Sequence, residues 1–305
     1  MDPADQASIP HWQMAVYALP AIPLSFLYVP LTALLPAFYA SHLGLGLTAV
    51  GTALLLSRTL DLAIDPWLGR LSDVVQTRRG RRKTWMVAAT PILMAGAYAL
   101  FLPPTEVGFL YLLLTSTLIY AGGSMLGLSY SAWGAEIVVT YHGRAKIAGF
   151  RETATVLGIV IASAIPAITA TYGHGVDAHT MGVLGIVFLV LTPVAVFAAV
   201  RWVPEPKPAP STHGTWWAAL RSVYENKPFR WLCAGFVAIH VATGVTNATL
   251  IFYLQSYLKQ PEVIGPALLV SFMSVLACVP LWVRISGRIG KHRAAGISLF
   301  AAISL

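Results

Sequence analysis

Arg58-Thr-Leu-Asp61-Leu-Ala-Ile-Asp65-Pro66-Trp-Leu-Gly69-Arg-Leu-Ser-Asp73-Val-Val-Gln-Thr-Arg78-Arg-Gly80-Arg81-Arg82-Lys83 begins with a cation and two carboxylates in an apolar run and ends in a dense basic loop. An ionisable group at bilayer depth costs about 2.5 to 3.5 kcal/mol on insertion scales, so three placed together point to a function. The surrounding chain makes that depth the relevant one. It is 57% hydrophobic and 10% charged over 305 residues, whereas a soluble domain has roughly 25% charged residues. The fold class expected is an all-α polytopic membrane protein.

Apolar stretches of about 20 residues, the length that crosses a bilayer core, fall at Met14–Ala40, Ala49–Gly69, Trp85–Leu102, Phe109–Trp133, Ile147–Thr171, Met181–Val203, Phe229–Leu258 and Gly265–Ile285. A ninth begins near Ala294 and is cut short at Leu305, so the expectation is about eight full spans and a truncated ninth, in a fragment of a longer protein. Met1 to Gln13 carries Asp2 and Asp5 but no Lys or Arg, and the first apolar run exceeds a signal-peptide core, so it reads as a retained span.

Eighteen of the 20 basic residues flank alternate loops, from Arg70 to Lys83, Arg144 to Arg151, Arg201 to Arg230 and Arg284 to Arg293. The positive-inside rule then puts the amino terminus and these loops in the cytoplasm of a cell whose inner or plasma membrane holds the protein. The same clustering in short loops accounts for the net charge of +8 without nucleic acid. Cys233 and Cys278 lie in apolar segments without metal or redox spacing and read as packing residues. No nucleophile, base and orienting residue stand together, and no phosphate loop is present, so an enzyme is not expected, nor any cofactor.

The run Val203-Pro-Glu-Pro-Lys-Pro-Ala-Pro-Ser favours an extended spacer. It divides the chain into a six-helix bundle over residues 1–203, a cytoplasmic linker over 204–228 and the start of a second bundle over 229–305. Trp216 and Trp217 then anchor a short amphipathic helix at the interface. Arg78-Arg-Gly80-Arg81-Arg82-Lys83 and Arg288-Ile-Gly290-Lys291-His-Arg293 both fit Arg-x-Gly-basic-x-basic in equivalent loops, the mark of an internal repeat.

At 100° per residue, Arg58, Asp61 and Asp65 span an arc of about 60° on a helix. Two carboxylates on one face can share Na⁺ or a proton while the guanidinium keeps at least one ionised; the alternative is an internal salt bridge. Pro66 removes a backbone donor just below them. The first span interleaves Pro20, Pro23, Pro30 and Pro36 with Tyr17, Ser25, Tyr28 and Tyr39, a pattern suited to a bending helix with aromatic groups for a cavity. Tyr130 and Trp133 share a face of the fourth span, and Arg151 has Glu136 and Glu152 as acidic partners. His240, Thr243 and Asn247 recur at helical spacing on the seventh.

These residues resemble the glycoside-pentoside-hexuronide:cation symporters, the melibiose-permease-like branch of the major facilitator superfamily. The resemblance rests on Arg58-x-x-Asp61-x-x-x-Asp65-Pro66-x-x-Gly69-x-x-x-Asp73, then Arg78-x-Gly80-Arg81, with Trp85, Ala135-Glu136, Arg144, Arg151 and the Tyr253 to Tyr257 stretch. It implies a major facilitator fold of twelve helices that moves a sugar or glycoside with Na⁺ or H⁺, as a monomer in the bilayer. It further implies Asp61 and Asp65 as the cation site, with Na⁺ as the metal, and substrate contacts among Arg58, Ser25, Tyr28, Tyr130, Trp133, Arg151 and Asn247. The cytoplasmic gate would comprise Gly69, Asp73, Arg78, Gly80, Arg81, Arg82, Glu136 and Arg144. Ser25 stands where melibiose-type members carry an Asp, and Gly127 marks a second missing acid, so galactoside recognition does not carry over. A lysophospholipid or other amphipathic cargo on the same fold, and a receptor or assembly factor that transports nothing, are the other readings.

Overall fold

The computed structural model describes residues 9–74, 80–138, 140–205, 216–252, 264–290, 293–294 and 296–298, and among these no strand occurs. The chain divides into two compact units, Met1–Pro206 with Leu269–Leu305, and Lys207–Leu268.

Among the described residues, six helical segments are long and apolar enough to cross a membrane: His11–His42, Leu47–Ser72, Arg81–Phe101, Phe109–Ile137, Gly143–Thr171 and Ala178–Trp202. They coincide with the first six expected spans. The first is not one regular helix. It runs as α1 (His11–Ala18), α2 (Ala21–Phe26), a π-helical stretch at Pro30–Leu34, the short α3 (Leu35–Ala37) and a second π-helical stretch at Phe38–His42. A proline ring has no backbone N–H to donate and crowds the preceding turn; the helix is interrupted at Leu19–Pro20 and becomes π-helical from Pro30. α4 (Leu47–Val74), by contrast, stays helical through Pro66.

The remaining spans are α5 (Arg81–Phe101), α6 (Phe109–Ile137), α7 (Tyr141–Thr171) and α8 (Ala178–Trp202). Caps set several of their ends. Thr140 Oγ1 accepts the Gly143 N–H at 3.2 Å to start α7, and Asp177 accepts the Thr180 N–H at 2.9 Å to start α8. That backbone donor, with His174 beside it, holds the Asp177 carboxyl down to about 2.

Helix pairs in a membrane gain little from excluding water, so close backbone approach and interhelical hydrogen bonds hold them together. α5 and α6 form the most extensive pair, and Gly96 and Gly122 let them meet. A Cβ on Gly96 would lie 2.7 Å from the Ile119 nitrogen, and one on Gly122 would lie 2.8 Å from the Leu93 backbone. Ser57 of α4 and Ser116 of α6 bond through their hydroxyls at 2.6 Å. Tyr39 donates to the Leu100 carbonyl at 3.0 Å and Tyr17 to the Tyr130 carbonyl at the same distance.

The second unit contains α9 (Trp216–Glu225) and α10 (Lys227–Phe252). The short helix expected at Trp216 and Trp217, inside the linker, is α9; its Arg221 and Glu225 pair at 2.7 Å, and Arg230 of α10 lies over the Tyr224 ring at 5.2 Å. α11 (Ile264–Ile289) follows. Residues 291–292 of the repeated basic motif, the Tyr253 to Tyr257 stretch and the expected start of a ninth span near Ala294 lie wholly or partly outside the described residues.

Candidate functional site

Arg58, Asp61 and Asp65 stand on one face of α4, as their spacing requires. Asp61 is buried, and its Oδ2 accepts from Arg58 Nη1 at 3.3 Å. That is long for a charge-assisted bond, which runs about 2.7 to 2.9 Å. Asp61 Oδ1 and Asp65 Oδ1 are both buried oxygens with no hydrogen-bond partner in the structure. Ser124 of α6 neighbours the Asp61 carboxylate. A buried, unsatisfied carboxylate oxygen is costly, and two near one another form a hard oxygen set suited to a small cation or to a proton. An internal salt bridge alone would engage one carboxylate and leave no reason for the second.

The Arg58 guanidinium points away from the helix core and lies over the Tyr120 ring, 4.2 Å from its centroid. Both line an open cavity of about 630 Å³ between the first span, α4 and α6. Tyr28, Thr32 and Ser124 add polar groups to walls formed otherwise by leucines, Ile119 and Pro36. An aromatic ring, a guanidinium and hydroxyls converging on an apolar hollow match the usual make-up of a small-molecule site.

Ser25, Tyr130, Trp133 and Arg151 do not gather there. Ser25 donates to the Ile22 carbonyl at 3.1 Å and faces α7, where a Cβ on Gly158 would collide with its hydroxyl. Tyr130 and Trp133 are fully buried against α1: the Tyr17 ring stacks on Tyr130 at 4.7 Å and meets Trp133 edge-on at 5.6 Å. Next to them lies a smaller hollow of about 200 Å³, lined by Tyr17, Ser131, Gly134, Arg144 and Arg151 among others. Arg151 pairs with its neighbour Glu152 at 3.4 Å. The Asn247 side chain lies outside the described residues.

Of the residues expected to form the gate, Gly69, Arg81, Arg82 and Glu136 meet at the ends of α4, α5 and α6. Glu136 Oε1 accepts from Arg81 Nη2 at 2.7 Å and from Arg82 Nε and Nη2 at 3.1 and 2.9 Å. Arg82 Nη1 donates to Ser72 Oγ at 3.0 Å, and Ser72 donates to the Gly69 carbonyl at 2.8 Å. One nearly buried guanidinium thus ties α5 to both α4 and α6. Gly80 has φ of +104°, a conformation open to glycine and strained for other residues. Arg144 donates instead to the Val138 carbonyl at 3.0 Å. Arg78 and the Asp73 side chain lie outside the described residues.

Three contributors were not anticipated from sequence. Glu205, within the proline-rich stretch just past α8, accepts the Arg82 and Lys83 N–H groups at 2.6 and 3.3 Å. It places a carboxylate on the exposed amides of the α5 N-terminus, where the helix dipole favours an anion. Tyr120 and Ser124 stand four apart on α6, a helical repeat that the long apolar run conceals. An acid at the end of an otherwise apolar span was the available signal for Glu205.

The family described as MFS/sugar transport protein matches residues 16–305. The glucuronide carrier protein homolog of Escherichia coli (strain K12) is 25% identical over 291 residues, which cover 92% of this chain and 63% of its own. An inner membrane symporter of the same strain is 24% identical over 233 residues, 74% of this chain and 50% of its own. A third protein of that strain, provisionally named a glycoside/cation symporter, is 23% identical over 269 residues, 85% of this chain and 58% of its own. The chain therefore spans between half and two-thirds of the length of these relatives.

Proposed function

The chain belongs to the MFS/sugar transport protein family, and on that premise we propose that it forms the substrate- and cation-handling half of a secondary symporter for a sugar or glycoside. The observation that carries this reading is the position of the paired carboxylates. Asp61 and Asp65 each hold a buried oxygen without a partner, directly behind a cavity whose wall includes Arg58 and Tyr120. Cation binding there neutralises buried charge and frees Arg58, so occupancy of the cation site alters the surface that meets the substrate. That linkage is what coupling requires: each ligand shifts the equilibrium only through its different affinity for the two states.

In this reading the protein sits in the cytoplasmic membrane with its amino terminus and the Arg81–Arg82–Glu136 cluster on the cytoplasmic side. Residues 1–203 form the first helical bundle, 204–228 the linker and 229 onward the second bundle. Na⁺ or H⁺ is the coupling ion. The names of the relatives support a glycosidic substrate, and the apolar hollow with a stacking ring and a fixed guanidinium suits one.

Proteoliposomes containing the protein that carries this chain, loaded to impose a Na⁺ or pH gradient, provide the test. Labelled glycosides and uronides accumulate above equilibrium when one of the gradients is present and merely equilibrate when both are absent. Accumulation indifferent to both gradients would overturn the proposed coupling.

A further inference from the structure

The connection between α7 and α8 holds a cluster of a kind absent from the site above. His174, Asp177 and His179 each offer a ligand atom, and these atoms lie within 4.8 Å of one another. His174 Nδ1 is 2.8 Å from Asp177 Oδ2, and the two imidazole rings stack with centroids 4.1 Å apart and planes 15° from parallel.

The backbone fixes all three positions. α7 ends in a Schellman motif: the His174 N–H bonds to the Thr169 carbonyl and the Gly173 N–H to that of Ala170, at 3.1 Å each, with Gly173 at φ +83°. His174 is therefore held by the helix end and is not part of a loose loop. Asp177 is the N-cap of α8, its Oδ1 engaged by Thr180, which leaves Oδ2 for His174. His179 lies in the first turn of α8, and Thr180 Oγ1 donates to Thr169 Oγ1 at 2.9 Å, binding the two helix ends together. Ligands on rigid elements, with their partners already set, are the requirement for a site that binds without reorganising the fold.

We propose that His174, Asp177 and His179 bind one divalent transition-metal ion of the Zn²⁺, Ni²⁺ or Cu²⁺ type. Two imidazoles and one carboxylate suit these ions and not Mg²⁺ or Ca²⁺, which take oxygen ligands. Bonds of about 2.0 to 2.2 Å to nitrogen and oxygen place ligand atoms about 3.3 Å apart round a tetrahedral ion, so the present spacing closes by rotation of side chains. Three protein ligands leave a fourth position for water, and His179 is exposed and accessible to it. The cluster sits at the end of α7 remote from the Glu136 contacts, so a bound ion clamps α7 to α8 there without touching the gate.

The test is a calorimetric titration of Zn²⁺ into the EDTA-stripped protein in detergent, purified through a tag that contains no histidine. The wild type takes up one Zn²⁺ per chain at this site and Mg²⁺ does not replace it. His174→Ala combined with His179→Ala lowers the affinity at least tenfold. Asp177→Asn keeps the helix cap and weakens binding several-fold. His179→Ala alters only an exposed side chain, so its unfolding temperature without metal matches the wild type, while the upward shift caused by Zn²⁺ disappears. An unchanged Zn²⁺ affinity and stoichiometry in the double variant would overturn the proposal.

Discussion

Arg58 and Asp61 are ion-paired at 3.3 Å on adjacent turns of α4, yet the Arg58 side chain is 63% exposed and that of Asp61 only 5%. The pair therefore spans a boundary, with its cation at the cavity and its anion behind it. On its cavity side the guanidinium lies over the Tyr120 ring. The carboxylate holds the guanidinium by a long hydrogen bond and has Ser124 beside it, and its Oδ1 is buried without a geometric partner. Under the proposed function this asymmetry is what lets a cation at Asp61 be felt by Arg58.

Replacing Arg58 by Gln removes the contact with Tyr120, an interaction of about 0.5 to 1 kcal/mol at an exposed site, and the guanidinium donor to Asp61 Oδ2. Substrate affinity is expected to fall several-fold, with a changed dependence on cation concentration. Tyr120→Leu, by contrast, is expected to weaken substrate binding and leave the cation dependence in place. Equilibrium binding at varied Na⁺ and pH separates the two outcomes.

Glu136→Gln withdraws the anion shared by Arg81 and Arg82. Loss of one member of a fully buried ion pair costs about 3 to 5 kcal/mol. Glu136 is 29% exposed, and Arg82 keeps Ser72, so about 2 kcal/mol is expected once solvent screening is allowed for. Thermal unfolding in detergent should show it, together with faster labelling of cysteines introduced at the ends of α4 and α6.

Glu205→Ala strips the α5 N-terminus of its carboxylate cap. A loss of about 1 kcal/mol is expected, in the range of other helix N-caps, and Glu205→Gln should retain part of it through its remaining oxygen. The unfolding temperatures of the two variants should fall in that order below the wild type. Equal unfolding temperatures in all three would remove Glu205 from the cluster.

Gly122→Val forces a branched side chain into the Leu93 backbone at the α5–α6 crossing. Overpacking costs about 1 to 3 kcal/mol where neighbours can shift, and backbone atoms shift least. Yield of folded protein on gel filtration should drop sharply, whereas Gly127→Ala, with nothing near its Cβ position, should leave it unchanged.

The spans were legible because a bilayer tolerates only long apolar helices, and Ser72, Phe101 and Trp202 end theirs within three residues of the expected limits. The facing of the α4 charges was equally legible, since i, i+3 and i+7 have one geometry on a helix. Inside the first span, hydropathy gave no hint that Pro20 and Pro30 divide it. Tyr130 and Trp133 share a face as expected, but that face meets Tyr17; periodicity groups residues without saying what they meet. Glu205 was hidden because repeated prolines describe a spacer and say nothing of where a single carboxylate docks. The His174–Asp177–His179 cluster depends on how two helix ends fold back, which spacing alone does not convey.

In the proposed function, Asp61 and Asp65 couple a cation gradient to substrate movement. The most direct test of this coupling is accumulation of a transported glycoside in proteoliposomes under an imposed Na⁺ or pH gradient, comparing wild type with Asp61→Asn and Asp65→Asn at matched protein content. Each variant is expected to insert and fold but to lose gradient-driven accumulation by at least tenfold. Undiminished accumulation in both variants would contradict it.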